Sequence, residues 1–301
     1  MRMPTKTDNK ILWLVKRILF NIRNNDLVYK RLLNRRYSYK NLIRSRVQSS
    51  VELQVLRDLE TEGISIKSLH DIVPNFDFFQ LESWINANEV NLKQKSKKKF
   101  LQSYYGSESA DKPLDFDNPF VNFYLSEEIL RIVVQYLGYV PQLYEVYVEK
   151  TLPVGEAEPT HSQNWHRDPE EKRTLKVFLY MSDVSVNSGP FTYLKGSAPT
   201  VKGRYSRVFK QKLPLGSYPA EEEVLKIAQS EDLVVATGKK GTVIFCDTAG
   251  LHKGGHAKSE HRIMSTAFFP SKYWSEPRLF QVDLAEKSNR KLNPLAQAVL
   301  D

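Results

Sequence analysis

The chain has 301 residues, is 41% hydrophobic and carries one cysteine, so it can bury a sizeable core and cannot form an internal disulfide. No apolar run approaches the roughly 18 residues a membrane span needs, and no small-residue cleavage site follows the first apolar stretch, so the expectation is a cytoplasmic protein with no transmembrane segment. The net charge of +9 is uneven: residues 1–50 hold 13 Lys or Arg against Asp8 and Asp26, a net of +11, and the other 251 residues sum to −2.

In chain order, residues 1–50 read as a basic helical extension. Ile11, Leu12, Leu14, Val15, Ile18, Leu19 and Ile22 recur at helical spacing beside Lys10, Lys16, Arg17 and Arg23, with Trp13 and Phe20 adding bulk. Such a helix can dock on the rest of the protein with its charges solvated. Docking is the reading favoured by the bulk of Trp13 and Phe20; the alternatives are a nucleic acid or other acidic partner, or an anionic membrane surface, which would make the protein membrane-peripheral. Residues 51–301 are expected to form one domain. Helical patterns cover residues 51–59, 75–92 and 125–137, and Gly63 interrupts the chain after the first. Residues 93–113 are polar, with Lys95, Lys97, Lys98 and Lys99 reading as a solvated loop or helix face. Residues 142–152 alternate like a strand, with Tyr144, Val146 and Val148 on one face and Tyr147 and Glu149 on the other. Short strands are then predicted over 175–181, 190–194, 233–235, 242–246 and 263–269, separated by Gly, Pro, Ser and Lys. Residues 205–229 read as an insertion, within the stretch near 200–230, with a helix over 220–228.

Chemistry concentrates in two places. In Trp165-His166-Arg167-Asp168, a strand would aim His166 and Asp168 to the same side, because side chains repeat every two residues. An apolar strand, residues 241–245, leads to His252 and could run alongside the first. Two imidazoles and a carboxylate are the donor set of the facial triad that binds Fe(II) and leaves positions open for cosubstrate and O2. His256 and His261 compete with His252 for the third place. Arg262, ten residues past His252, can clamp a carboxylate bidentately. A surface ion pair at a strand end is the plain alternative for His166 and Asp168, and a structural salt bridge for Arg262. Lys176 can reach a cosubstrate or simply snorkel from a strand end, and Cys246 reads as a small buried hydrophobe.

The ordered set, the His166-Arg167-Asp168 triplet, the strand Gly189-Pro190-Phe191-Thr192-Tyr193-Leu194 ending in Lys195-Gly196-Ser197, the apolar strand before His252 and then Arg262, resembles the phytanoyl-CoA dioxygenase family of Fe(II)/2-oxoglutarate oxygenases. The resemblance covers roughly residues 55 to 275. It implies a mainly β fold with flanking helices, a double-stranded β-helix or jelly roll of the cupin type. It also implies iron held by His166, Asp168 and His252, 2-oxoglutarate held by Arg262, and O2 as the oxidant. The implied reaction is hydroxylation of a small molecule, lipid or glycan intermediate. The same chemistry on a protein or nucleic acid, and a metal-free β-roll used for binding, are the other classes to weigh.

The chain departs from the family at two places. Ala198 stands where many relatives have a His after the Gly-Ser turn. Gly254 stands where a hydroxyl often helps to bind the 2-oxoglutarate tail, so Arg262 needs another partner, for which Thr192 is one candidate. Asp168 is retained, which argues against the halogenating relatives, where loss of the carboxylate frees an iron position.

Overall fold

The computed structural model describes residues 9–23, 25, 27–28, 49–94, 100–106, 112–168, 171, 173–201, 203–205, 218–273 and 277–301. The lysine cluster at 95–99 and most of the expected insertion, residues 206–217, lie outside them. The chain begins with α1 (Lys10–Arg23) and α2 (Ser50–Thr61), then β1 (Ile64–Ser68), α3 (Leu69–Ile72), α4 (Phe78–Asn88), β2 (Lys93–Gln94) and β3 (Leu101–Tyr105). Next come α5 (Pro119–Tyr124), α6 (Glu127–Leu137), β4 (Glu145–Thr151), β5 (Leu175–Tyr180) and β6 (Phe191–Leu194). The last elements are α7 (Glu221–Leu225), β7 (Leu233–Ala236), β8 (Thr242–Asp247), β9 (His252–Lys253), β10 (Arg262–Phe269), α8 (Leu284–Asn289) and α9 (Pro294–Leu300).

The strands form two antiparallel sheets. One has the order β1-β8-β5-β10-β4-β3-β2 and the other β7-β6-β9. Sequence-distant strands are neighbours in the larger sheet, as in a jelly roll, and the architecture is the mainly β roll with flanking helices that the sequence predicts. Strand alternation then decides what each face does. Val146 and Val148 of β4, Leu175, Val177 and Leu179 of β5, Val243 and Phe245 of β8, and Ile263, Ala267 and Phe269 of β10 share one core with the helices. Residues of opposite parity, among them Phe178, Tyr180, Ile244 and Cys246, pack between the sheets with Phe191 and Tyr193 of β6. Thus Tyr147, Glu149, Thr151, Lys176, Arg262 and Met264 all fall on the face turned into the roll.

The helices close the outer face. In α6, Glu127 and Glu128 sit in the first turn, where the helix dipole favours them, and Gly138 ends the helix in a left-handed conformation at φ 81°. A buried ion pair joins α6 to α2, with Arg131 Nη2 donating to Glu52 Oε1 at 2.6 Å.

Four expectations need correction. Part of the polar stretch 93–113 is ordered as β2 and β3, paired through Lys93 with Ser103 and Gln94 with Gln102 at the edge of the larger sheet. A sheet edge with one solvated side accepts polar residues, which hid the strand signal. The helix expected over 220–228 is only Glu221–Leu225. Strand β8 does not run beside the His166 segment, because β1 and β5 occupy both its edges. The α1 helix forms as expected, but its described apolar residues are exposed, from 42% at Leu19 to 77% at Ile11, so docking of this face on the roll is not what the described residues show. No helix among the described residues is long and apolar enough to cross a membrane.

Candidate metal centre

His166 and His252 meet across a single antiparallel bridge. His166 N–H donates to the His252 carbonyl at 2.8 Å, and His252 N–H returns the bond at 2.9 Å. Asp168 N–H donates to the Thr248 carbonyl at 2.9 Å, extending the ladder past the bridge. Exchange of both bonds places the two side chains on one face. The structure brings the three residues together by pairing the His166 segment with His252 at the start of β9 and with Thr248 in the turn after β8, rather than with β8 itself.

That turn is held by Asp247, which is fully buried and accepts from Tyr136 Oη at 2.6 Å, Thr174 N–H at 3.0 Å and Ala249 N–H at 3.2 Å. Gly250 follows, and a Cβ there would lie 2.1 Å from Tyr193 Oη, so only glycine permits this approach. Tyr193 Oη in turn donates to the Asp247 carbonyl at 3.2 Å. These residues set where His252 begins.

The imidazole orientations follow from backbone carbonyls. His166 Nδ1 lies 2.8 Å from the Asn164 carbonyl and His252 Nδ1 lies 2.9 Å from the Gly250 carbonyl. A carbonyl can only accept, so each Nδ1 carries the proton and each Nε2 presents a lone pair. Both Nε2 atoms face Asp168 Oδ1, at 3.8 Å for His166 and 3.9 Å for His252. Donor atoms of the three residues all lie within 4.8 Å of one another. Two oriented imidazoles and one carboxylate suit a divalent transition metal such as iron. Burial and the neighbouring His166 lower the pKa of His252 to about 3, so it stays neutral and able to ligate. Burial opposes the charge on Asp168, but Lys176, His252 and His166 outweigh it and hold the carboxyl well below the usual range. His256 is excluded from the group: its Nε2 is 3.1 Å from the Gly155 carbonyl, and its side chain is not part of the cluster.

The three residues open into a cavity of about 420 Å³. Tyr147, Glu149 and Thr151 of β4, Lys176 and Phe178 of β5, and Arg262 and Met264 of β10 line one side. Phe191, Gly254 and Gly255 line the other, with Phe100, Leu101, Ser162, Gln163 and Tyr218 also contributing. Arg262 is 4% exposed and pairs across the strands with Thr151. Its Nη1 donates to the Gly189 carbonyl, and its Nη2 donates to Thr151 Oγ1 at 3.4 Å. Its Nε has no hydrogen-bond partner among the described residues; burial disfavours its charge, and Glu149 on the same face favours it. A buried guanidinium with a spare donor suits a carboxylate ligand.

Of the remaining candidates named from the sequence, Arg262 and Lys176 line the same cavity as the three donors, whereas Thr192 does not. Thr192 is buried on β6, where its Oγ1 lies 3.4 Å from the Pro190 carbonyl, and it is not among the residues lining the cavity. Thr151 is the hydroxyl beside Arg262, and the alternation of β4 already placed it on the face of Tyr147 and Glu149. Gly254 N–H donates to the Ser162 carbonyl at 2.7 Å, and a Cβ on it would make a tight 3.0 Å approach to that oxygen. Lys176 reaches Asp168 Oδ2 at 2.7 Å. Tyr218, whose ring lies 5.8 Å from that of His166, had no readable signal.

The model of the phytanoyl-CoA dioxygenase family matches residues 80–264, a span that takes in His166, Asp168, His252 and Arg262. The chain belongs to the phytanoyl-CoA dioxygenase family. It is an Fe(II)/2-oxoglutarate-dependent oxygenase, an enzyme that uses iron, 2-oxoglutarate and O2. No curated protein matches the chain in sequence. Among solved structures, EctD from S. alaskensis, with 2-oxoglutarate and 5-hydroxyectoine, is 15% identical with TM-score 0.50, covering 74% of this chain and 76% of that one. HygX from Streptomyces hygroscopicus, with nickel, 2-oxoglutarate and hygromycin B bound, is 14% identical with TM-score 0.47, covering 75% of this chain and 88% of that one. The epimerase SnoN from nogalamycin biosynthesis is 11% identical with TM-score 0.48, covering 74% of this chain and 83% of that one. The likeness to EctD shows a common fold.

Proposed function

We propose that the chain hydroxylates a small molecule, with His166, Asp168 and His252 as the Fe(II) ligands and Arg262 as the anchor for the distal carboxylate of 2-oxoglutarate. One observation carries the reading: two Nε2 lone pairs and Asp168 Oδ1 converge in the same cavity that receives a buried guanidinium with a spare donor. When bound, iron and 2-oxoglutarate supply oxidative decarboxylation coupled to insertion of one oxygen atom of O2 into a C–H bond.

The protein's part is placement and protection. The Asn164 and Gly250 carbonyls fix both imidazoles before any metal arrives. Lys176 holds Asp168 Oδ2 and leaves Oδ1 toward the histidines. Thr151 supports Arg262 from the neighbouring strand and supplies the hydroxyl that Gly254 lacks. Phe178, Phe191 and Met264 form an apolar wall that keeps water from the reacting centre. The cavity is of the size that holds small ligands, and this favours a small-molecule substrate over a protein or nucleic acid. A small molecule, 5-hydroxyectoine, is also what the structure of EctD holds beside 2-oxoglutarate.

The test is succinate formation from 2-oxoglutarate by the purified chain with Fe(II) in air, across a panel of small molecules. Iron-dependent succinate that a small molecule accelerates supports the proposal. Acceleration only by proteins or nucleic acids would move the substrate class, and no iron-dependent succinate under any condition would refute the oxygenase reading.

A further inference from the structure

We infer that α1 is an interfacial helix that lies on an anionic lipid surface. The inference is independent of the metal centre. Its first support is exposure: Ile11, Leu12, Leu14, Val15, Ile18, Leu19 and Ile22 are each 42–77% exposed. At 100° per residue these positions fill one arc of about 160° on the helix. A contiguous apolar face of this kind is unusual on a protein surface and marks a place where something binds.

Charge selects the occupant. The helix sequence holds Lys10, Lys16, Arg17 and Arg23 and no acidic residue, within an arm of net charge +11. Two such arms repel each other, which disfavours a second copy as the partner. A nucleic acid would satisfy the cations and leave the apolar arc in water. An anionic bilayer satisfies both, because lipid headgroups meet the cations while the arc enters the acyl boundary. Fourteen residues span about 21 Å, short of the roughly 30 Å hydrocarbon layer, so the helix lies in the plane of the surface rather than crossing it.

The experiment is co-sedimentation of the full chain with vesicles. Mixed phosphatidylcholine–phosphatidylserine vesicles should carry the protein down, and phosphatidylcholine vesicles alone should not. Binding should vanish in about 1 M salt, where the screening length falls to about 3 Å. Ile18→Glu and Leu19→Glu should each lower partitioning by about tenfold or more. Both variants should keep the wild-type melting temperature and Fe(II) affinity, which shows that the roll is intact. The inference is overturned by absence of binding to the phosphatidylserine vesicles, or by binding that both Glu variants leave unchanged. Self-association of the chain without vesicles, lost in Leu19→Glu, would overturn it too and assign the face to a second copy.

Discussion

Lys176 Nζ lies 2.7 Å from Asp168 Oδ2, while Asp168 Oδ1 faces the Nε2 atoms of His166 and His252 at 3.8 and 3.9 Å. The two oxygens of one carboxylate therefore have separate partners, one cation and one pair of imidazoles. A partner outside the ligand set that orients a ligand typically carries 10–100-fold in metal affinity, about 1.4–2.7 kcal/mol. Lys176→Met should weaken Fe(II) binding in anaerobic titration by about that factor, and Lys176→Arg should recover part of it. Wild-type Fe(II) affinity in Lys176→Met, with a loss of 2-oxoglutarate affinity instead, would make Lys176 a cosubstrate contact.

Arg262 and Thr151 separate cosubstrate from metal. A hydrogen bond to a charged group is worth about 1.5–3 kcal/mol, so Arg262→Ala should weaken 2-oxoglutarate binding by at least tenfold and leave Fe(II) affinity nearly unchanged. Thr151→Val removes a single neutral hydroxyl and should cost only severalfold. Calorimetric titration of each variant with 2-oxoglutarate over the manganese-loaded protein reads this directly. Equal losses of metal and cosubstrate affinity in Arg262→Ala would mean that its bond to the Gly189 carbonyl holds the fold rather than a ligand.

Acid should weaken the metal-free protein. His252 has a folded-state pKa of about 3 against an ordinary 6.5, first because it is buried and then because His166 lies beside it. The unfolded chain binds a proton that the folded one refuses between those values, so stability falls as pH drops from about 6.5 toward 3, at up to about 1.4 kcal/mol per pH unit. Asp168 has a lowered folded pKa, so its contribution is present above the ordinary carboxylate value and is lost only at still lower pH. Urea unfolding between pH 7 and pH 4 should show the slope in the wild type and a shallower one in His252→Gln. Parallel curves would place the pH dependence elsewhere.

The pair Glu52 and Arg131 is a stability prediction remote from the chemistry. Arg131 Nη2 donates to Glu52 Oε1 at 2.6 Å with both side chains buried between α2 and α6. Removing one partner of a buried pair strands the other charge, at a cost of about 3–5 kcal/mol. Arg131→Met should lower the denaturant midpoint accordingly, whereas the double replacement Glu52→Leu with Arg131→Met should recover much of the loss. Additive losses in the double variant would contradict this account.

The sequence was most legible where residue type and spacing carry the chemistry. His166 and Asp168 two residues apart, His252 after an apolar strand and Arg262 ten residues on converge on one cavity. Strand alternation also assigned Val146 and Val148 to the core and Tyr147 and Glu149 to the opposite face. What stayed hidden depends on register between distant segments. Nothing local says that Lys176 faces Asp168, because that contact follows from the placement of β5 against the loop before it. Thr151 beside Arg262 follows from the pairing of β4 with β10. Strand β3 and the edge strand β2 escaped because solvated polar residues mask the period-2 pattern. The exposed apolar face of α1 could not be read either, since an amphipathic pattern is the same whether the face is buried or bare.

The measurement that bears most directly on the central assignment is anaerobic Fe(II) titration in the presence of 2-oxoglutarate, followed by the visible charge-transfer absorption, on the wild type, His166→Ala, Asp168→Ala, His252→Ala and His256→Ala. The expected result is one iron per chain and the absorption band in the wild type and in His256→Ala, and loss of the band in the other three. An intact band in His252→Ala together with its loss in His256→Ala would contradict the assignment of the third ligand.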